Sequence, residues 1–156
     1  APVAVHLPNS PVIATGKRDG SKIRLPNGNY LEETASYYVM IETKTGGYTP
    51  ALITMKSTQL NVSKKWNSMM KTIQIPDGKG GFAIPPMHGV VYNLASTLQK
   101  NDKGSWYGWV VTQDRIMGQD DKTLYLSAKD FAGNVSKGSV QTKADVEETS
   151  SDSTPY

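Results

Sequence analysis

The chain of 156 residues contains no cysteine, which excludes a disulfide framework, a thiolate-ligated metal or iron–sulfur site, and a cysteine nucleophile. Any core must therefore hold by packing alone. Phe is scarce, with 2 residues against 8 Tyr and 3 Trp, so most of the aromatic surface carries a polar handle that sits best near water. Histidine occurs only at His6 and His88, far apart in sequence and each beside a proline-rich break. No Gly-x-Ser-x-Gly elbow accompanies them, so the usual serine-hydrolase arrangement is missing. Gly78-Lys79-Gly80-Gly81 lacks the spacing of a phosphate loop, and no segment approaches the ~20 apolar residues of a membrane helix. These absences predict a protein that is not an enzyme, needs no cofactor or metal, and does not insert into a membrane.

What is present is turn-rich. Gly (14) and Pro (9) are frequent while apolar residues make up only 37%, the profile of one thin domain. Lys and Arg total 17 and Asp and Glu 14, for a formal charge of +3. The acids concentrate at the end: residues 143–156 hold Lys143 against Asp145, Glu147, Glu148 and Asp152, which leaves 16 basic and 10 acidic residues in the body. A basic body favours anionic surfaces. Solubility is the favoured reading of that charge, because no basic cluster exceeds the pairs Lys17-Arg18 and Lys64-Lys65. The opening Ala1-Pro2-Val3-Ala4-Val5 has neither an initiator Met nor the layout of a signal peptide, and reads as the start of a mature or excised fragment.

Apolar and β-branched residues recur in short runs bounded by turn signals, which predicts an all-β domain. Residues 3–7 and 12–15 flank the break Pro8-Asn9-Ser10-Pro11. Residues 22–25 alternate before the tight-turn sequence Pro26-Asn27-Gly28-Asn29. Residues 36–43 are dense in β-formers, end at Lys44-Thr45-Gly46-Gly47, and predict a hairpin with residues 48–55. Residues 59–62 and 71–75 alternate at period two and read as strands, with a short helical turn between them at 63–70. Residues 76–81 form a loop. Strands follow at 89–93 and 105–113 with a turn at 100–104, and residues 123–130 alternate with Leu124, Leu126 and Ala128 on one face. A closing strand is expected at 138–142. The count, about eight to ten strands, points to an antiparallel Greek-key β-sandwich of immunoglobulin-like type with long inserted loops. Its body spans residues 1–142, and residues 143–156 form a disordered acidic, Ser-rich tail.

The run Leu124-Tyr125-Leu126-Ser127-Ala128-Lys129-Asp130-Phe131-Ala132-Gly133-Asn134-Val135-Ser136 resembles the last hairpin of bacterial immunoglobulin-like (Big-type) domains, found in intimin/invasin-family adhesins and in related secreted proteins, including those of the Zir type. In that reading Asp130, Gly133 and Asn134 form a structural turn. Asp130 accepts backbone amide hydrogen bonds, while Gly133 and Asn134 tolerate a left-handed conformation. The resemblance implies a secreted or surface-exposed bacterial protein, extracellular and possessing a protein partner on a bacterial or host surface. The body is longer than the roughly 100 residues of an ordinary repeat. The excess, assigned to residues 57–105, predicts loops where a binding surface is built.

The candidate binding residues are aromatic, Met and basic side chains, a mixture enriched at interfaces. Lys64, Lys65, Trp66 and Met69 lie together in a polar segment, where Trp66 serves either a partner or one end of the core. In Trp106-Tyr107-Gly108-Trp109, period two places Tyr107 and Trp109 on one face and Trp106 on the other. Either face is a candidate for packing; an exposed one would offer a protein or sugar platform, so a glycan partner stays open. The carboxylates Glu32, Glu33, Glu42, Asp77, Asp114, Asp120 and Asp121 have no legible cleft partner, and the Asp120-Asp121 pair lacks the rest of a calcium loop. Lys64-Lys65-Trp66 with Lys71 is an isolated basic and aromatic group, too small for a nucleic-acid interface.

Overall fold

The computed structural model describes residues 4–138, so the closing strand and acidic tail expected beyond Gly138 lie outside the described residues. In chain order the elements are α1 (Pro11–Ala14), β1 (Lys17–Asp19), β2 (Lys22–Arg24), β3 (Tyr30–Glu32), β4 (Thr34–Glu42), β5 (Tyr48–Lys56), α2 (Leu60–Thr72), β6 (Ile75–Pro76), β7 (Phe82–Ala83), β8 (Val90–Asn101), β9 (Gly104–Ile116) and α3 (Lys122–Ser136). Single 3-10 turns at Ser57–Gln59, Met87–Gly89 and Gln119–Asp121 lead into α2, β8 and α3. All strand pairing is antiparallel. Strands hold 41% of the described residues and helices 30%, so the chain is β-rich with two substantial helices.

The strands form one three-stranded sheet, β1-β2-β3, and three hairpins, β4-β5, β6-β7 and β8-β9. Each strand pairs only with a sequence neighbour, and no Greek-key crossover occurs among the described residues. The two long hairpins are β4-β5, the expected one, and β8-β9, whose first strand runs past the expected residues 89–93 to Asn101. Tyr37 faces Ile53 and Val39 faces Ala51 in the first; Leu94 faces Val111 and Ser96 faces Trp109 in the second. Their turns close by local polar chemistry. The Thr43 N–H bonds the Gly47 carbonyl at 2.7 Å, and Asn101 Oδ1 accepts the Lys103 N–H at 2.8 Å. Gly46 takes the positive φ of 83° that an L side chain resists. In the second hairpin Val91 faces Arg115 and Tyr92 faces Gln113, leaving Asp114 as the extra residue of a bulge.

The helices correct the period-two readings. Residues 59–62 and 71–72, read as strand, belong to α2 and the turn before it. Leu60, Val62, Ser63, Trp66, Met69, Met70 and Ile73 recede from solvent in steps of three and four, a helical stripe. Residues 123–130 likewise form α3 instead of a strand. Leu124, Tyr125, Ala128, Phe131, Ala132 and Val135 turn inward. Leu126, which the alternation placed beside Leu124 and Ala128, remains 50% exposed. Asp130, Gly133 and Asn134 consequently lie inside α3 and form no hairpin turn. Near the start, residues 4–7 carry no strand and residues 11–14 form α1, whose first residue Pro11 has the φ that helix entry favours.

The core sits between the long hairpins and α2. Ile53, Met55 and Trp66 form its buried centre, with Ala35, Tyr37, Val39, Val62, Met70, Tyr92, Leu94 and Val111 packed around it. Met55 is fully buried at 0% exposure and Trp66 nearly so at 3%. The Trp66 ring lies 4.4 Å from Tyr37 and 5.6 Å from Tyr92, the latter edge-on at 73°. The Tyr37 hydroxyl donates to Asn67 Oδ1 at 2.9 Å and accepts from the Ser63 hydroxyl at 2.7 Å. One aromatic row thus ties β4, α2 and β8 together.

A polar staple orients α3 after β9. Arg115 bonds Asp121 at 3.1 Å and Asp114 at 2.9 Å, while the Gly118 N–H donates to Asp121 at 3.1 Å. The Arg115 guanidinium, aided by the Gly118 amide, holds the Asp121 carboxyl below its ordinary pKa. A carboxyl lowered in the folded state favours folding above its unfolded pKa, and that contribution disappears as pH falls through the folded value. Arg115→Gln should raise the Asp121 titration midpoint in a 13C-detected NMR titration and weaken the acid dependence of unfolding. Gly133 separates a helix from the hairpin alternative: it has no positive φ, and an added Cβ meets nothing within 4 Å. Gly133→Ala should therefore stabilise the protein by about 0.5–1 kcal/mol in urea unfolding, the helix-propensity gain, whereas a left-handed turn would make it destabilising.

Candidate functional site

The two halves of the β8-β9 hairpin differ. On the face bearing Tyr92, Leu94 and Val111, the half nearer Val90 is covered by the Trp66 cluster. Toward the turn the same face continues through the cross-strand pairs Ser96–Trp109 and Leu98–Tyr107, because directly opposed residues in an antiparallel pair share a face. Here the covering ends. Leu98 is 48% exposed, Tyr107 74% and Trp109 37%. The result is an aromatic and aliphatic stripe continuous with the core.

The other face and the outer edge of β9 are occupied near the turn. Trp106 donates its indole N–H to Gln99 Oε1 at 3.1 Å, across the ladder from it. Gln59, in the turn before α2, accepts the Trp109 backbone N–H through Oε1 at 2.8 Å. Buried Gly108 lets the two Gln side chains approach: an added Cβ would stand 2.6 Å from Gln59 Nε2 and 2.7 Å from Gln99 Nε2. A shallow cleft lies beside this region, lined by Ser57, Thr58, Asn101, Lys103 and Trp106 among others. Ser57 has φ 54°, unusual for a residue with a side chain. The cleft holds no His, Asp or Glu.

The expected binding residues divide into two groups. Tyr107 and Trp109 share the exposed stripe, and Trp106 points to the opposite face. Lys64 and Lys65 are exposed on α2 and Met69 is half-buried, whereas Trp66 on the same helix is the core aromatic, 3% exposed. Its helical position decides this, because it faces the hairpins together with Val62 and Met70. The contributors missed in the sequence are Leu98 and Gln59. Continuous strand through residues 94–99 would have disclosed Leu98, but no local signal marks Gln59, whose partner is fifty positions away.

Four of the candidate acids, Glu32, Asp77, Asp114 and Asp121, are engaged in local structure, Glu32 with Lys56 at 3.9 Å. Asp77 Oδ1 caps its own loop by accepting the Lys79 and Gly81 N–H groups, and Asp114 and Asp121 both pair with Arg115. His88 packs 5.3 Å from the Tyr125 ring. Among the described residues no three His, Asp or Glu side chains converge as a metal site, and no helix is long and apolar enough to cross a membrane. The Tyr30 phenol, donating to Asp19 at 3.1 Å, is raised above its ordinary pKa by that hydrogen bond, and burial raises Tyr92.

The family model described as Pam3 phage gp34-like protein matches residues 1–141. No curated protein and no solved structure matches the chain. The three tryptophans offer a direct check of the exposed stripe. Trp109→Phe should remove the most acrylamide-accessible emission in steady-state quenching, while Trp66→Phe should remove the least accessible. A quenching profile unchanged by Trp109→Phe would contradict the exposure of this face.

Proposed function

Because the chain belongs to the Pam3 phage gp34-like protein family, we propose that it is a non-catalytic structural protein of a phage particle or related appendage, working by protein–protein contact. The observation that carries the reading is the imbalance between core and surface. Among the described residues six apolar side chains are buried, while fourteen large ones are exposed, from Val5 and Leu7 to Leu126. Leu98, Tyr107 and Trp109 of that set lie together on one face of the β8-β9 hairpin, and a contiguous exposed apolar patch marks a surface that a partner covers. A subunit completed by neighbours needs only enough internal core to preserve the shape of its contacts.

A second reading is favoured by Tyr107 and Trp109, which lie exposed on one face as in an aromatic sugar platform. The reading as a secreted or surface-exposed immunoglobulin-like sandwich, bound to a partner on a bacterial or host surface, is supported by the antiparallel hairpins. Its quoted resemblance lies in residues that run as α3, so it carries less weight. Quantitative mass spectrometry of particles purified from a lysate of the producing strain should find the chain at a fixed ratio to the major particle protein. Recovery only in the particle-free supernatant, with binding on a glycan array lost in Tyr107→Ala and Trp109→Ala, would replace the structural reading with the carbohydrate one.

A further inference from the structure

The long strands of this fold end in open edges, and these edges are guarded unequally. β5 carries Pro50, which cannot donate to a further strand. β9 carries the bulge at Asp114, and its Trp109 N–H is already taken by Gln59. β4 has α3 against it. β8 has none of these devices among the described residues: there it is bonded only to β9, and from Val90 to Gln99 it contains no Pro, no Gly and no charge. An edge of this kind is a template for strand pairing. Its phase can be read from Trp109. That N–H points away from β8, so antiparallel alternation turns the N–H and C=O of the opposed Ser96, and of Leu94 and Leu98 two residues either side, outward as well.

We propose that β8 pairs antiparallel with β8 of a second copy of this chain about a two-fold axis at Ser96, giving a continuous four-stranded sheet. The proposal rests on the reading of the chain as an assembly subunit. Ser96 would face Ser96 of the second copy, and Leu94 and Leu98 would face each other twice. The covered half of each hairpin then lies beside the bare half of the other. Val111, Leu94, the second copy's Leu98 and its Tyr107 form one row across the sheet, so the exposed stripe of each subunit extends the core of its neighbour.

Charge selects the antiparallel arrangement. Lys100, the first charge on β8, would meet its own counterpart in a parallel pairing; in the antiparallel one the two lie about 27 Å apart at ~3.4 Å per residue, beyond the screening length of ~8–10 Å.

The experiment uses the purified full chain in sedimentation velocity across a concentration series, with two edge variants and an engineered thiol. The wild type should dimerise by ~100 µM. Ser96→Pro removes only an outward N–H and should leave the β8-β9 ladder intact, and Leu98→Lys places a charge in the new row. Each should weaken dimerisation at least ~10-fold with unchanged far-UV circular dichroism. Ser96→Cys, unique in a chain without cysteine, should form a symmetric disulfide dimer on mild oxidation, because a hydrogen-bonded antiparallel pair brings Cα atoms to ~5.5 Å; exposed Thr72→Cys should not. A wild type monomeric throughout, or a dimer unaffected by both edge variants, overturns the proposal. A chain present in particles yet monomeric in solution would overturn this pairing alone, whereas a Ser96-centred dimer absent from particles would uphold the pairing and overturn the structural reading.

Discussion

The contact on which the structure depends is the wedge of Trp66 between Tyr37 and Tyr92. Isolated two-stranded hairpins are marginal in water, and both long hairpins are of that kind. Trp66 gives each a common surface to pack on, and Ser63 and Asn67 on the same helix hold the Tyr37 hydroxyl in place. Deleting a buried Trp side chain typically costs about 3–5 kcal/mol, a large share of the ~5–15 kcal/mol that stabilises an ordinary domain. With a buried centre of Ile53, Met55 and Trp66, few other contacts can replace it.

A small core has consequences at the surface. The wedge covers the Val90 end of the β8-β9 hairpin, and among the described residues no second helix covers the end bearing Leu98, Tyr107 and Trp109. The alternation that turns Leu94 and Val111 inward therefore continues into solvent on the same face. The apolar residues at that end keep between 37% and 74% of their surface in solvent. This couples the fold to the proposed role: the proposed interaction surface is the unburied continuation of the core, held rigid by the part that is buried.

Much of the hairpin architecture was legible in the sequence. Dense β-formers at Tyr37-Tyr38-Val39-Met40-Ile41, Gly46-Gly47, and the turn at Asn101-Asp102-Lys103-Gly104 specify pairings closed by short loops, where partners lie close in sequence. The division of Tyr107 and Trp109 from Trp106 followed from the two-residue strand period alone. The helices were less legible because short windows are compatible with both periods. Leu124, Leu126 and Ala128 alternate, yet the longer set Leu124, Ala128, Phe131, Ala132 and Val135 has helical spacing and reaches across Gly133. Four-residue matches at 59–62 and 71–75 similarly obscured one continuous helical stripe through Trp66.

Sequence by itself determined the absence of thiol chemistry, the lack of a legible catalytic constellation, the basic body with its acidic end, and the β4-β5 hairpin, because each depends on residue type or on neighbours within one turn. Tertiary structure decided the fate of the aromatics. Trp66 became core although its neighbours are polar, while Trp109 stayed accessible although Val110 and Val111 follow it, since burial depends on what a helix or strand face meets after folding. Tertiary structure also decided which edges were guarded, through Gln59 reaching β9 across fifty positions and α3 lying against β4. No local pattern encodes such encounters; they exist only once the chain has folded.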